Sequence, residues 1–537
     1  MYPRKLTRAV VSNHDYPVVQ TAAGKLRGLL EEGVFIFRGV QYAEATRFEM
    51  PRKVTPWEGT REAIIYGPVC KEINTQIAHD EYNVPHYHYI QDEDCLNLNI
   101  WTKHINEDVK RPVMVWLHGG GFSTGSSIEL YAYDGMELAD FGDVVVVSVN
   151  HRLNCIGYLD LSGYGEKYRY TGNLGQADLV AALEWVKENI AGFGGDPDNV
   201  MIFGQSGGGG KVDALIQTPA ADGLFHKASI QSGLFDGGRD TLQADSRALA
   251  DLVVENLGLT RETIGEIEKI PYYKLARAAR KAEQEISAKL GYRVSWAPVK
   301  DDDYYMGSGL YNPFREETKH IPVLVGSVQG EFDQNYNNVF ADGSKNDWDE
   351  AQVDELIRKI HGDAAEGIAE AFCKAYPGKR KVDCLFTNKS CRTASRNYAF
   401  YRAEQGCAPA YNWLFTLECP FNNGTIAWHN AEEAYMFHNA NYLEASYIPG
   451  VSERLQDIMT GAWVAFAKTG DPNHVGMRIW EPATRENGAC MIFDEETYPA
   501  YHHDDLLMER LPLRSIMPAT NARRGLVKLG GGPRQSL

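Results

Sequence analysis

Gly204-Gln205-Ser206-Gly207-Gly208 sets a serine between glycines at G-x-S-x-G spacing, with a strand-like run at 200–203 before it and a helix-like run at 211–216 after it. A strand that turns sharply into a helix at such a serine exposes the hydroxyl as a nucleophile. Side chains at Gly204 and Gly208 would collide around that turn. Four consecutive glycines, Gly207 to Gly210, then open the helix against a propensity penalty of about 1 kcal/mol each relative to alanine, roughly 3–4 kcal/mol in all. Close approach of backbone amides to a reacting substrate is a physical reason to keep them. Upstream, the run 112–117 leads directly into His118-Gly119-Gly120-Gly121-Phe122, an HGGG-type turn whose N–H groups can face a developing oxyanion. Gly120, Gly121 and Gly207 are the predicted donors.

An activated serine needs a histidine within hydrogen-bond reach and a carboxylate to fix that histidine's tautomer, in the chain order serine, acid, histidine for this kind of turn. Glu331 follows the strand-like run 321–326, just beyond its carboxyl end, with Asp333 as the local rival. Six histidines lie downstream: His361, His429, His438, His474, His502 and His503. His429 sits after the run 410–416 and directly before a helical stretch, which fits the position of a base, whereas His438 falls inside that stretch. The pair His86-x-His88 has no third ligand pattern nearby and reads as cleft-lining or surface histidines rather than a metal site.

Short β-branched runs at 112–117, 143–149, 200–203, 321–326 and 410–416 read as buried strands. Between them, 177–190 carries Leu179, Leu183, Val186 and Ile190 on one helical face. The alternation predicts an α/β fold, a mostly parallel central sheet covered by helices on both faces, with ligands bound beyond the carboxyl ends of its strands. The intervals 242–290 and 351–375 read as large helical insertions, and 521–537 as a frayed, basic, glycine-rich tail. No linker divides residues 1–537 into separate domains.

Charge excludes some functions. With 54 Lys+Arg against 72 Asp+Glu the net charge is −18, which opposes binding to a phosphate backbone. No stretch approaches the roughly 18–20 consecutive apolar residues of a membrane span. Residues 1–20 hold no apolar block of a secretory signal, so the expected location is cytoplasmic, or outside the cell if the numbering begins after a removed signal. Nine cysteines leave at least one unpaired within the molecule and the redox compartment open.

With their flanking text these residues resemble the type-B carboxylesterase and cholinesterase family of α/β-hydrolases over most of the chain. Phe37-Arg38-Gly39-Val40-Gln41-Tyr42-Ala43 is similar to an early strand of that family, and Glu93-Asp94-Cys95-Leu96-Asn97-Leu98-Asn99-Ile100-Trp101 is close to its EDCLxLNIW signature. Asn150-His151-Arg152, Gly172-Asn173, Phe193-Gly194-Gly195-Asp196-Pro197, Gln231-Ser232-Gly233 and the region from Trp463 to Asn473 follow in family order. The resemblance carries the acid onto Glu331, although both flanking residues differ from the family's DEG. It carries the histidine of HGxE onto His429 of His429-Asn430-Ala431-Glu432, with one change. It implies a two-step acyl transfer in which Ser206 attacks an ester, His429 moves the proton, and water releases the acid, without metal or organic cofactor.

Departures from the family bear on substrate. The usual GESAGG elbow is here Gly204-Gln205-Ser206-Gly207-Gly208-Gly209, so a fixed negative charge beside the serine is gone. Cys70 and Cys95 match the cysteines that bracket a loop at the family's active-site mouth, 71–94, and the match implies a disulfide in an oxidising compartment. That loop offers Tyr82, Tyr87 and Tyr89 but no tryptophan, which argues against a quaternary-ammonium platform and so against choline esters. It also lacks a continuous apolar face of the kind a lipase lid presents. With Gln205 and Phe122 these tyrosines are the substrate-cleft candidates. The expectation is a serine carboxylesterase for short to medium acyl or aryl esters, a small-molecule substrate plus water. The alternatives are a lipase for longer chains, an enzyme for amides or carbamates, and a catalytically inactive cholinesterase-like binding protein. Oligomeric state is not legible. Sequons at Asn388 and Asn423 would matter only for a secreted eukaryotic chain.

Overall fold

The computed structural model describes residues 10–73, 86–332 and 344–513. The expected strands form, and others join them at both flanks. In chain order the central sheet contains β1 (Leu29–Glu31), β2 (Val34–Gln41), β3 (Asn97–Thr102), β4 (Arg111–Leu117), β5 (Val145–Val149), β6 (Gly195–Gln205), β7 (Lys227–Gln231), β8 (Val323–Val328), β9 (Ala410–Phe415), β10 (Ala489–Phe493) and β11 (Tyr498–Tyr501). Their spatial order is β11-β10-β9-β8-β7-β6-β4-β5-β3-β2-β1. Pairing is parallel from β5 through β10 and antiparallel at the two edges, β3–β5 and β2–β3 on one side and β10–β11 on the other.

Side chains alternate between two cores, as the pleat of a doubly covered sheet requires. Val113, Val115, Val145, Val147, Val200, Ile202, Val323 and Val325 face one cluster. Met114, Trp116, Val146, Met201, Phe203, Leu324 and Trp413 face the other. Onto the first core pack α1 (Leu174–Asn189) and α2 (Gly207–Ile216). The predicted stripe Leu179, Leu183, Val186 and Ile190 lies in that core. Onto the second packs α8 (Ser452–Thr469), through Leu455, Met459, Trp463 and Phe466.

The interval 242–290 contains α3 (Gln243–Asn256) and α4 (Tyr272–Leu290), which press Leu249, Val253, Leu275, Ala279 and Ala282 into the first core. Residues 351–375 form two helices rather than one continuous element: α5 (Glu350–His361) and α6 (Ala365–Ala375). Gly362, at φ 55° and ψ −130°, breaks the chain between them, in a conformation open to glycine and disfavoured for other residues. These two helices build a satellite cluster with β10, joining Val353, Ile368 and Phe372 to Cys490 and Ile492. Helix α7 (Lys389–Glu404) lies against β8 and β9. The predicted tail 521–537 lies outside the described residues. Among the described residues no helix is long and apolar enough to cross a membrane.

Candidate active site

Strand β6 ends at Gln205, and Ser206 caps α2 at φ 56° and ψ −125°. A non-glycine residue there stores about 1–3 kcal/mol and persists only where its surroundings hold it. They do so with two backbone bonds: Ser206 N–H donates to Gln231 O at the end of β7 (2.8 Å), and Gly210 N–H donates to Ser206 O (3.0 Å). The turn closes because its neighbours lack side chains. A β-carbon at Gly204 would lie 2.6 Å from Gly208 C and from Leu117 O, and one at Gly208 would lie 1.9 Å from Leu117 O.

The glycine run after β4 meets this elbow backbone to backbone. Gly120 and Gly121 have φ of 82° and 64°, and Gly120 O accepts from Ser123 N–H (3.3 Å) and Thr124 N–H (3.1 Å). A β-carbon at Gly207 would stand 2.2 Å from Gly121 O, so the two candidate donor segments touch. As the first residue of α2, Gly207 has an amide with no acceptor inside the helix. Beneath the turn, His118 is buried and keeps its Nδ1 on Gly119 O (2.9 Å).

Glu331 and His429, 98 residues apart, form a buried pair in which the carboxylate Oε2 accepts from His429 Nδ1. The other carboxylate oxygen accepts from Val328 N–H at 3.0 Å. Backbone holds the two together as well: Glu331 and Trp428 form a parallel bridge, His429 N–H donates to Glu331 O (3.1 Å), and Gly330 N–H donates to Ala427 O (2.9 Å). His429 Nε2 is buried and has no hydrogen-bond partner among the described residues, so it makes no bond to Ser206 in this structure. Serine and histidine still lie at the same end of the sheet, the carboxyl ends of its parallel strands, since Ser206 is tied to β7, Ser232 N–H, just past β7, donates to Gly326 O in β8 (2.8 Å), and His429 is bound to Glu331 just past β8. His438 turns elsewhere, onto Asp457 (2.8 Å). Asp333 lies outside the described residues.

Three neighbours escaped the sequence reading. The Phe332 ring covers the His429 imidazole at 4.0 Å between centroids. Glu432 is fully buried; burial and the charge of Glu331 push its carboxyl up to about 8, so it is largely protonated at neutral pH. Lys211 is buried in α2 with its Nζ 2.7 Å from His118 O. Nothing in the sequence of α2, which carries Asp213 as well, singled out the last of these.

The cleft candidates occupy different layers. Gln205 is buried, its Oε1 against Gly119. Phe122 is half-buried, edge-on to Tyr158 at 5.4 Å. Tyr87 is 44% exposed, tied by its N–H to Glu129 O (2.7 Å) and set against Tyr131 at 4.3 Å. Tyr89 is 37% exposed and donates to Tyr66 O (3.1 Å). Tyr82 lies outside the described residues. His86 Nδ1 approaches Glu129 Oε1 at 3.2 Å. Cys70 and Cys95, the pair for which the resemblance implies a disulfide in an oxidising compartment, are buried neighbours and free thiols in this structure. The hydrogen bond to Cys70 and burial push the Cys95 thiol well above its usual range.

A mixed sheet with parallel centre, helices on both faces, and a strained serine at a strand-to-helix turn define an α/β-hydrolase. The chain belongs to the carboxylesterase family, whose model matches residues 15–506. It is 30% identical over 500 residues to para-nitrobenzyl esterase of Bacillus subtilis, covering 90% of this chain and 95% of the relative. Carboxylesterase 3B of Mus musculus is 42% identical over 519 residues, covering 86% and 84% respectively. Among solved structures, an esterase from anaerobic Clostridium hathewayi that can hydrolyse aliphatic aromatic polyesters superposes with a TM-score of 0.87 at 44% identity, over 94% of this chain and 99% of that one. The protein is accordingly a carboxylic ester hydrolase, with an ester and water as its substrates.

Proposed function

We propose that the protein is a serine carboxylesterase for short to medium acyl or aryl esters, with Ser206 as nucleophile, His429 as base and Glu331 as its orienting acid. The observation that carries this reading is the strained Ser206 at the head of α2, in backbone contact with the glycine turn after β4. Rotation of the Ser206 side chain brings Oγ toward His429 Nε2, which takes the proton as Oγ bonds to the ester carbonyl carbon. The amides of Gly120, Gly121 and Gly207 receive the oxyanion. His429 returns the proton to the departing alcohol, then deprotonates water, which cleaves the acyl-serine and releases the acid. Throughout, Glu331 keeps Nδ1 protonated and stabilises the imidazolium.

Aryl and short acyl groups are favoured by the wet, tyrosine-bearing rim at Tyr87 and Tyr89 and by the relatives' own substrates, a p-nitrobenzyl ester and aliphatic aromatic polyesters. Of the loop 71–94, the described residues 71–73 and 86–94 serve as the mouth of a single catalytic unit, while 74–85 lie outside the described residues. The test is hydrolysis of p-nitrophenyl esters from acetate to palmitate by the wild type and Ser206→Ala. Turnover of the short esters with a loss of about 10⁴-fold or more in the variant is expected. Equal turnover by the two proteins overturns the assignment of Ser206, and a preference for emulsified palmitate replaces the esterase reading with a lipase one.

A further inference from the structure

We propose that Lys211 is a positioning residue of the oxyanion hole: its ammonium, seated behind the His118–Gly119 peptide, holds that peptide in place and supplies positive potential where the ester oxygen becomes negative. The inference rests on the functional reading above.

Lys211 is fully buried, donates to His118 O at 2.7 Å and makes no ion pair among the described residues. Its contact leads straight to the reaction centre. The peptide it grips continues into Gly119, where a β-carbon would lie 3.4 Å from Gln205 O and 3.5 Å from Ser206 Cβ. A purely structural role has a better answer in leucine or methionine, because Val212, Ala214, Leu215 and Ile216 of α2 are buried, its one carboxylate, Asp213, is occupied by Ser308 Oγ (2.5 Å) and Gly309 N–H (3.2 Å), and an unpaired cation there is expensive to desolvate. A cation becomes worth keeping if an anion forms nearby during the reaction, in a medium that screens weakly.

The groups around the ammonium are neutral or already paired. His118 and His151 stack at 5.3 Å, and each keeps Nδ1 on a backbone carbonyl at 2.9 Å, Gly119 O and Arg152 O respectively. That fixes both as Nδ1–H tautomers, with Nε2 a buried acceptor that has no hydrogen-bond partner among the described residues. Burial and Lys211 itself hold both imidazoles well below their usual range, so neither adds a competing charge. The Phe122 ring lies 5.9 Å from Nζ. Arg152, beside His151, is neutralised by Asp178. Burial draws the Lys211 amine down to about 7, while Glu129 and Cys70 pull in the opposite direction.

The experiment measures kcat and KM for p-nitrophenyl acetate from pH 5 to 10 with the wild type, Lys211→Met, Lys211→Arg and Ser206→Ala, with folding monitored by circular dichroism. Lys211→Met should lower kcat by about 10- to 100-fold with KM within about twofold, the pattern of a contact strengthened only in the transition state. It should also remove the alkaline decline in kcat that the wild type shows as Lys211 loses its proton. Lys211→Arg, charged throughout, should retain most of kcat and show no decline up to pH 10. A Lys211→Met enzyme with wild-type kcat and pH profile, beside an inactive Ser206→Ala, overturns the role of Lys211 alone. An active Ser206→Ala overturns the underlying site instead. If the methionine variant does not fold, a wild-type kcat that stays level to pH 10 is the refuting result.

Discussion

Replacing Gly208 by alanine separates two roles that the glycine run combines, when it is compared with the same change two residues later. The new methyl at 208 would begin 1.9 Å from Leu117 O, and ordinary contact starts at 3.4 Å, so the head of α2 and the end of β4 must part by about 1.5 Å. Because Gly207 and Gly121 touch across that seam, the candidate oxyanion donors separate with it. Loss of one such donor costs about 10²–10³ in kcat, some 2.7–4 kcal/mol, and a misplacement of about 1 Å alone can cost 10²-fold. Overpacking adds about 1–3 kcal/mol of destabilisation. At Gly210 the nearest atom to the new methyl is Phe122 Cζ at 3.4 Å, with no backbone in the way. There alanine should bring about 0.5–1 kcal/mol of helix propensity and leave turnover nearly unchanged. Steady-state hydrolysis of p-nitrophenyl acetate reports the first effect and urea denaturation midpoints the second. Wild-type kcat in Gly208→Ala, or parallel losses in both variants, would refute the packing argument.

Three further outcomes follow from buried charge. Glu331→Gln keeps the shape of the acid but removes the negative charge facing His429 Nδ1, and should lower kcat by about 10³–10⁴-fold; retention of more than a tenth of wild-type kcat would contradict the pairing. Glu432 binds a proton in the folded chain up to about pH 8, whereas the unfolded chain releases it near 4.5, so this group's contribution to stability falls as pH rises between those values. Glu432→Gln should therefore gain on the wild type by on the order of 2–4 kcal/mol between pH 5 and 8.5, and a pH-independent difference in urea unfolding would rule this out. Asp504 accepts from Arg392 Nε (2.6 Å) and Nη2 (3.0 Å), both side chains buried, and the guanidinium holds its carboxyl well below the usual carboxylate range. Asp504→Asn should cost about 3–5 kcal/mol at pH 7, a penalty that shrinks below about pH 4, where the unfolded wild-type chain takes up a proton at Asp504 while the folded carboxylate stays charged; a constant penalty in denaturation at pH 7 and pH 3 would count against it.

The parts of the site that could be read from the chain are those set by local geometry. A serine between glycines, and a glycine run at a strand end, constrain backbone within a few residues, so Ser206, Gly120, Gly121 and Gly207 were accessible from pattern alone. The parallel strands were legible because burial on both faces writes an uninterrupted β-branched run. The antiparallel edges β1, β2 and β11 were less so, being short and half-polar, and the break at Gly362 was absorbed into one amphipathic interval. Phe332 over His429, Lys211 under His118 and the raised acid of Glu432 each depend on elements distant in sequence. A single phenylalanine, lysine or glutamate carries no spacing that announces such a neighbour.

The backbone bridge between Glu331 and Trp428 lies beyond the carboxyl end of β8, where residues 427–429 take over from β9 as the neighbouring backbone, and the Glu331–His429 pair hangs on it. Its members are therefore not carried on independently breathing loops. Separating the pair requires breaking the bonds from His429 N–H to Glu331 O and from Gly330 N–H to Ala427 O. Under the roles proposed for Glu331 and His429, turnover recovered on refolding reports the docking of residues 427–429 against the chain after β8, a contact formed only once β8 and β9 are in place.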